Sequence, residues 1–456
     1  MNPKCISIVG GGSYQWTFGF VRQFIESRHL VGADIRLMDV DAEALDLVGR
    51  ACSRFNASRG EPIRLTMGTD LDASLDGADF VLVAITTGGL EAMSHDLKIP
   101  EHYGIRHTVG DTVGPGGWSR AARNIPVFAD IARRMTERCP SAWFINFTNP
   151  LTVLTRVPHR EHGVRTIGMC PGVEHQARVM SRLAGASDDA PVDYVCTGID
   201  HGSWFTRLEC DGIDVIERLK EMGFYRSDDQ LPFESTTDDP HVDLFANRAV
   251  FALWREYGYL PSISDRHHVE NHPFFVSGDG ELSYGIQRTS TDERDEWRHI
   301  SRGVVERYLD GDETALTEGG HGDDPVCAVI EALGGHRTFV WGTNYRNVGQ
   351  IPGAPPDAVV ETRCRFDRDG VHPDVSPMPD VLKAVTFPHI YRQEAIVDVV
   401  LRGDFDQFVA VVLSDPLCSH LGIDQCREMM RRMLLATRKW IANPRLLPAT
   451  NTEKLI

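Results

Sequence analysis

Cys5-Ile6-Ser7-Ile8-Val9-Gly10-Gly11-Gly12-Ser13 is the stretch on which the fold turns. Five residues with the look of a buried strand run straight into a glycine turn, and a helical stretch follows. A tight glycine turn lets the backbone approach a pyrophosphate, while the helix N-terminus offers N–H groups without partners. The third glycine of the usual dinucleotide fingerprint is missing: Gln15 stands in its place, and Gly19 comes too late. The next strand, Ile35 to Met38, compensates by ending in Asp39. That is roughly the separation at which an acid accepts ribose hydroxyls. Gly10, Gly12, Ser13 and Asp39 are therefore the candidate cofactor residues. An acid at 39 favours NAD over NADP, because a 2′-phosphate would be repelled. A capping Asp after a strand is the structural alternative.

Outward from this unit, short β-rich runs alternate with helical stretches. Phe80 to Ile85, Trp143 to Phe147 and Tyr194 to Ile199 read as further strands, and Ala42 to Ser53 and Ala121 to Cys139 as helices. This is the pattern of a parallel sheet covered on both faces. The predicted class is α/β: a Rossmann-like doubly wound N-terminal domain over residues 1–200 and a mixed α+β C-terminal domain over 201–456. In the second part, Leu244 to Glu256, Ile390 to Leu401 and Ile423 to Lys439 read as helices, and Thr338 to Val348 as strand. The polar stretch 226–243 reads as a surface loop or lid.

Composition narrows the function. A formal net charge of −18 argues against general nucleic-acid binding, which needs clustered Lys and Arg. No apolar run reaches the roughly 18 residues a membrane helix needs. The ten cysteines have no pairing rhythm, and no secretory leader opens the chain, so reduced thiols and a cytoplasmic location are expected.

Three segments carry chemistry. In Thr166 to Val173, a strand ends at Cys170 and a helix begins near Pro171. A thiol at a helix N-terminus has a lowered pKa, and the thiolate is the form that binds metal. In Gly198 to Trp204, His201 also follows a strand, so the two are expected to meet at the carboxyl edge of the sheet. Two protein ligands would leave a metal open to substrate oxygens and water. The third segment, Gly258 to Glu270, crowds ionisable groups among apolar ones, the setting in which acid–base groups are tuned.

Taken together, the chain resembles the NAD- and metal-dependent glycoside hydrolases of family 4 over nearly its whole length. Gly10 to Thr17 is similar to the family's glycine-rich opening, and Gly110-Asp111-Thr112-Val113-Gly114-Pro115-Gly116-Gly117 to its signature loop. Asn146 to Pro150 is similar to its Asn-Pro element, and Gly168 to Val173 and Gly198 to Phe205 to its metal segments. Asn347 to Glu361 is similar to a C-terminal element.

The resemblance implies that Cys170 and His201 hold a divalent metal, usually Mn2+, and that Asn149 contacts the sugar. It implies that Asp265 is the catalytic base of an α-glycosidase. Asp111 would border the sugar site, with Asp96 and His95 as further contacts. It also implies a homodimer or homotetramer acting on a small carbohydrate. The reaction would run by oxidation at C3, loss of the C2 proton, elimination at C1, addition of water and reversal of the oxidation. Ordinary glycosidases use two carboxylates instead, and this family is a recognised exception.

Two departures stand out. Pro171 follows the metal cysteine where the family often has His, Asp or Asn, which leaves the leaving-group acid unassigned. Asp200 replaces the family's usual Asn, and would either add negative charge at the metal or supply that acid. Glu174 is another candidate, with a plain surface-helix role as its alternative. No Arg lies near Ser94-His95-Asp96, where phospho-sugar members tend to carry one. The Asp265-Arg266-His267 pattern is most like members acting on α-galacturonides, so Arg266 and His267 are candidate substrate contacts. Competing expectations are a neutral-sugar α-galactosidase or α-glucosidase, an NAD-dependent 2-hydroxy-acid dehydrogenase, and a non-catalytic NAD-binding protein.

Overall fold

The computed structural model describes residues 4–225, 247–278, 282–315 and 325–448. The loop or lid expected at 226–243 lies outside the described residues. The strands are β1 Cys5–Val9, β2 Asp34–Met38, β3 Arg64–Gly68, β4 Phe80–Val83, β5 Trp143–Asn146, β6 Arg165–Met169 and β7 Val192–Gly198. They continue with β8 Trp204–Cys210, β9 Ile213–Asp214, β10 Leu260–Pro261, β11 Phe339–Arg346, β12 Val359–Asp367 and β13 Gly370–Pro373. All belong to one sheet, ordered β10-β8-β7-β12-β11-β6-β5-β4-β1-β2-β3, with β13 beside β12 and β9 beside β8.

Strands β1 to β6 pair in parallel, which gives the Rossmann-like half. β1 is apolar at nearly every position because both its faces are covered. Ile6 and Ile8 pack on Phe20 and Phe24, while Cys5 and Val9 join the opposite core with Trp118 and Ile125. The other half is antiparallel, so the fold is mixed α/β. The expected division at residue 200 falls in the turn between β7 and β8, and the sheet is continuous across it.

That continuity decides where the site forms. β6 and β7 are not neighbours: the antiparallel pair β11 and β12 lies between them. Three successive antiparallel pairings make β6 and β7 run in opposite directions. Met169 pairs with Thr343, Thr343 with Thr362, and Thr362 with Thr197. The carboxyl ends of β6 and β7 therefore meet head to head at one level. The expectation of a shared carboxyl edge is corrected in this respect, since the meeting of the two ends depends on strands from the C-terminal half. Among the described residues no helix is long and apolar enough to cross a membrane.

Candidate active site

The glycine turn has the conformation its sequence promises. Gly10 has φ +98°, and a Cβ there would lie 2.1 Å from the Ala84 carbonyl oxygen, so only glycine fits. Gly10 and Gly11 donate their N–H groups to the Met38 carbonyl. Asp39 Oδ2 accepts from Gly12 N–H at 2.9 Å, which holds the acid at the end of β2 against the turn. Ser13 caps the following turn by accepting from Trp16 N–H. An acid beside a bare backbone turn fits a dinucleotide's ribose and pyrophosphate. Asp39→Ala is expected to weaken NAD binding by about tenfold to a hundredfold, the worth of hydrogen bonds to a charged group. Calorimetric titration checks this, and equal or tighter NADP binding by the unaltered protein would contradict it.

Cys170 follows β6 and lies at the start of the helix Gly172–Leu183, where its Sγ accepts from Gly172 N–H at 3.4 Å. It is half-buried, whereas the other nine cysteines are buried. His201 has φ 59°, in the left-handed region, and the chain doubles back there into β8. Its Nε2 lies 3.8 Å from Cys170 Sγ and 3.6 Å from Asp200 Oδ2. Its Nδ1 is 2.8 Å from Thr112 Oγ1, which in turn donates to Asp111 Oδ1 at 2.8 Å. With the Thr112 proton directed to Asp111, Nδ1 must carry the imidazole proton. Nε2 then presents its lone pair towards Cys170. Burial holds His201 below the usual histidine range, which favours the neutral, ligating form.

The signature loop wraps this centre. Asn149 Nδ2 donates to Asp111 Oδ2 at 3.2 Å, and Arg120 Nε donates to the Asn149 carbonyl. Arg294 Nη2 lies 3.7 Å from Asp111 Oδ2. Burial acts to raise the Asp111 carboxyl, but the positive charge around it, the Arg294 and Arg120 guanidiniums included, holds it below the usual carboxylate range. The His267 ring packs on that of His201 at 4.2 Å between centroids, and burial keeps it neutral. Ligand-capable atoms of Asp111, His201 and His267 lie within 4.8 Å of one another, as do those of Cys170, Asp200 and His201.

The family models settle the relationship. A model described as family 4 glycosyl hydrolase matches residues 5–185, and one for the C-terminal domain of the same family matches 196–418. The chain belongs to glycoside hydrolase family 4. As a member it is a glycosidase, not a plain dehydrogenase. An alpha-galacturonidase of Thermoanaerobacterium saccharolyticum is 30% identical over 456 residues, covering 96% of each chain. A crystal structure from Bacillus subtilis, provisionally described as a glucosidase, superposes with a TM-score of 0.82 at 28% identity, covering 95% of this chain and 100% of its own. A 6-phospho-alpha-glucosidase from gut microorganisms, solved in complex with NAD and Mn2+, shares the fold with a TM-score of 0.77 at 20% identity, covering 96% and 99%.

Several expected site residues lie apart from this centre. Both oxygens of Asp265 accept backbone N–H groups, from Ala249 at 3.0 Å and Val250 at 2.7 Å. The carboxylate thus serves the N-terminus of the helix Arg248–Tyr257. A carboxylate so held is a weakened base. Asp265→Asn is expected to cost about 1 kcal/mol of stability, a typical capping contribution, and to change kcat by only a few-fold. A larger fall in kcat without loss of stability would return the base role to Asp265.

Asp96 is likewise engaged, since Arg123 takes both its oxygens in a buried pair at 2.6 and 3.0 Å. Glu174 accepts from the Tyr194 hydroxyl and Gly342 N–H. Arg266 donates to Thr289 Oγ1 and is half-buried. It does not pair with Glu270, whose Oε1 clamps the loop by accepting from Val109 and Gly110 N–H.

Arg120, Arg294, Thr112 and Asn271 escaped the sequence reading. Asn271 Nδ2 donates to the His201 carbonyl at 2.7 Å and so supports its strained backbone. Thr112 lies within the signature loop and was open to notice there. Arg294 gives no sequence signal, as it is one charge among many on an exposed helix.

Proposed function

We propose that this enzyme hydrolyses α-linked uronides, α-galacturonides first among them, using bound NAD and Mn2+ or another divalent metal. The observation that carries the reading is the convergence of Cys170, Asp200 and His201 in a member of family 4 with a dinucleotide turn. A thiol, an imidazole lone pair and a buried carboxylate within 4.8 Å of one another are a donor set suited to a divalent ion. NAD, when bound, supplies a hydride acceptor for C3, and the metal supplies Lewis acidity that makes the C2 proton removable.

The chain's own residues do the rest. The close backbone approach allowed by the Gly10 to Ser13 turn and the Asp39 carboxylate hold the dinucleotide. Asn149, fixed between Asp111 and Arg120, presents its amide to the sugar hydroxyls. His267 is kept neutral by burial, and its Nδ1 finds no hydrogen-bond partner. That open nitrogen is the acceptor assigned to the C2 proton, because the oxygens of Asp265 and Asp111 are already engaged.

Charge supports a uronide. The protein as a whole carries −18, which repels anions, so local cations must outweigh it. Arg120 and Arg294 lie close to the Asp111 carboxylate, and Arg266 is a near neighbour of Arg294. Guanidinium groups match a C6 carboxylate by paired hydrogen bonds. The relative 30% identical to this chain is itself an alpha-galacturonidase.

The test compares α-galacturonide, α-glucuronide, α-galactoside and α-glucoside at matched concentration with NAD, Mn2+ and a thiol reductant. A uronide is expected to be cleaved fastest, without net NADH, and the product formed in D2O should carry deuterium at C2. Faster cleavage of a neutral hexoside would refute the uronide assignment. Full retention of the C2 hydrogen would rule out elimination, and stoichiometric NADH would point to a dehydrogenase.

A further inference from the structure

We propose that Asp200 is a third protein ligand of the divalent metal, beside Cys170 and His201, and not a proton donor; this rests on the metal-dependent reading above. Asp200 is wholly buried, and neither of its carboxylate oxygens finds a hydrogen-bond partner. Burying an ionised carboxylate without a partner is strongly unfavourable, so such groups are neutralised, paired or bound to metal.

The neighbouring acids make Asp200 an exception. Asp111 has Thr112 and Asn149. Glu361 has Ser203 and Asn344. Glu270 has two backbone N–H groups, Asp265 has two more, and Asp96 has Arg123. Donors are plentiful around this centre, yet no backbone N–H, amide or hydroxyl is aimed at the Asp200 oxygens, and the groups beside them are the Cys170 thiol and the His201 ring.

What Asp200 does face is the other two ligands. The separations of 3.6 Å from Asp200 Oδ2 to His201 Nε2 and 3.8 Å from Nε2 to Cys170 Sγ are those of adjacent ligands on one ion. Two ligand atoms each about 2.0–2.3 Å from one ion would lie no more than about 4.6 Å apart, and both separations fall within that limit. The backbone enforces the arrangement. The left-handed φ at His201 lets two consecutive side chains turn to the same point. Thr152 Oγ1 accepts from Asp200 N–H, and Asn271 pins the His201 carbonyl.

The Asp at position 200 also balances charge. A thiolate and a carboxylate cancel a divalent cation inside a buried site. With Asn the same site would retain a net positive charge. An Asp200 whose lone pairs are on the metal is not available as the leaving-group acid.

The experiment titrates Mn2+ into the wild-type protein and Asp200→Asn without NAD or sugar, reading free Mn2+ by its solution EPR signal. Asn keeps the shape and removes the charge. The expected result is Mn2+ affinity weaker by roughly 30-fold or more, a loss within the range for damage to a metal site. Affinity within threefold of wild type overturns the proposal, whether kcat falls, which would make Asp200 an acid, or stays. Should Asp200→Asn fail to fold by circular dichroism, the wild-type crystal structure with Mn2+ decides. An Asp200 oxygen at about 2.0–2.3 Å from the ion is expected, and a closest oxygen beyond about 3 Å overturns the assignment. A wild-type protein that binds no Mn2+ fails the metal-dependent reading itself, an outcome distinct from equal binding by the two proteins.

Discussion

His201→Asn is expected to lose bound Mn2+ and turnover together, and Cys170→Ser to do the same. Asn is the better replacement at 201 because the backbone there has φ 59°, a conformation Asn tolerates and Ala does not. The Thr112 hydroxyl and the Asn271 amide that orient the histidine remain in place, so the fold should survive. Cys170→Ser replaces a thiolate with a hydroxyl that stays protonated near neutral pH, and so removes the anionic sulfur donor. With three protein ligands at most, each carries a large share of the affinity. A Lewis acid contributes several kcal/mol of charge stabilisation, and each 1.36 kcal/mol is a factor of ten. The expected fall in kcat is therefore on the order of a thousandfold. Metal analysis of the dialysed variants alongside single-turnover rates checks the link. Full occupancy with Mn2+ in both variants would show that the ligands have been misassigned.

How much of this was open to a reader of the sequence follows from how local each signal is. The dinucleotide turn was legible because β1, Gly10 to Ser13 and Asp39 are neighbours in the chain or one crossover apart. Cys170 and His201 were legible because each sits in a short motif after a strand. Their meeting was expected as well, but not the head-to-head arrangement that produces it, since that requires β11 and β12 to insert between β6 and β7 from more than 130 residues downstream. The role given to Asp265 came from its motif alone. Whether a buried carboxylate faces a substrate or a helix end depends on where the helix Arg248–Tyr257 packs, and periodicity does not contain that. Asp200 shows the same limit differently. Sequence marked the residue, but what favours a ligand over an acid is the oxygens' lack of any backbone, amide or hydroxyl donor, which only the fold displays.

The protein is expected to lose stability steeply as pH falls below about 6.5, through three histidines behind the active site. His268 and His272 stack at 5.5 Å between centroids, His268 also meets the Trp204 ring edge-on, and His389 lies in the same buried group on the helix Asp380–Arg402. Both ring nitrogens of His268, Nε2 of His272 and Nδ1 of His389 find no hydrogen-bond partner. Burial depresses all three, and His272 falls to about 3.

Above about pH 6.5 both folded and unfolded chains carry these rings neutral, and their contribution is fully present. Below it the unfolded chain takes up protons that the folded protein refuses, so stability is lost with falling pH until the folded-state values are reached. Each ring then costs about 1.4 kcal/mol per pH unit. The buried acids run the other way. Glu361 is pushed up to about 7 by burial, and Glu174 and Glu394 are raised as well. Protonation of these groups favours the folded state as pH falls, and partly offsets the histidines.

Comparing variants isolates the histidine contribution, because the acids are common to both proteins. His272 already sits among Tyr257, Phe274 and Phe275, so His272→Phe keeps an aromatic ring there and removes the titration. Urea unfolding between pH 6.5 and 4.5 is expected to give the variant a slope shallower than wild type by about 1.4 kcal/mol per pH unit. Parallel pH dependence in the two proteins would mean that His272 takes up its proton while folded, and that acid lability originates elsewhere.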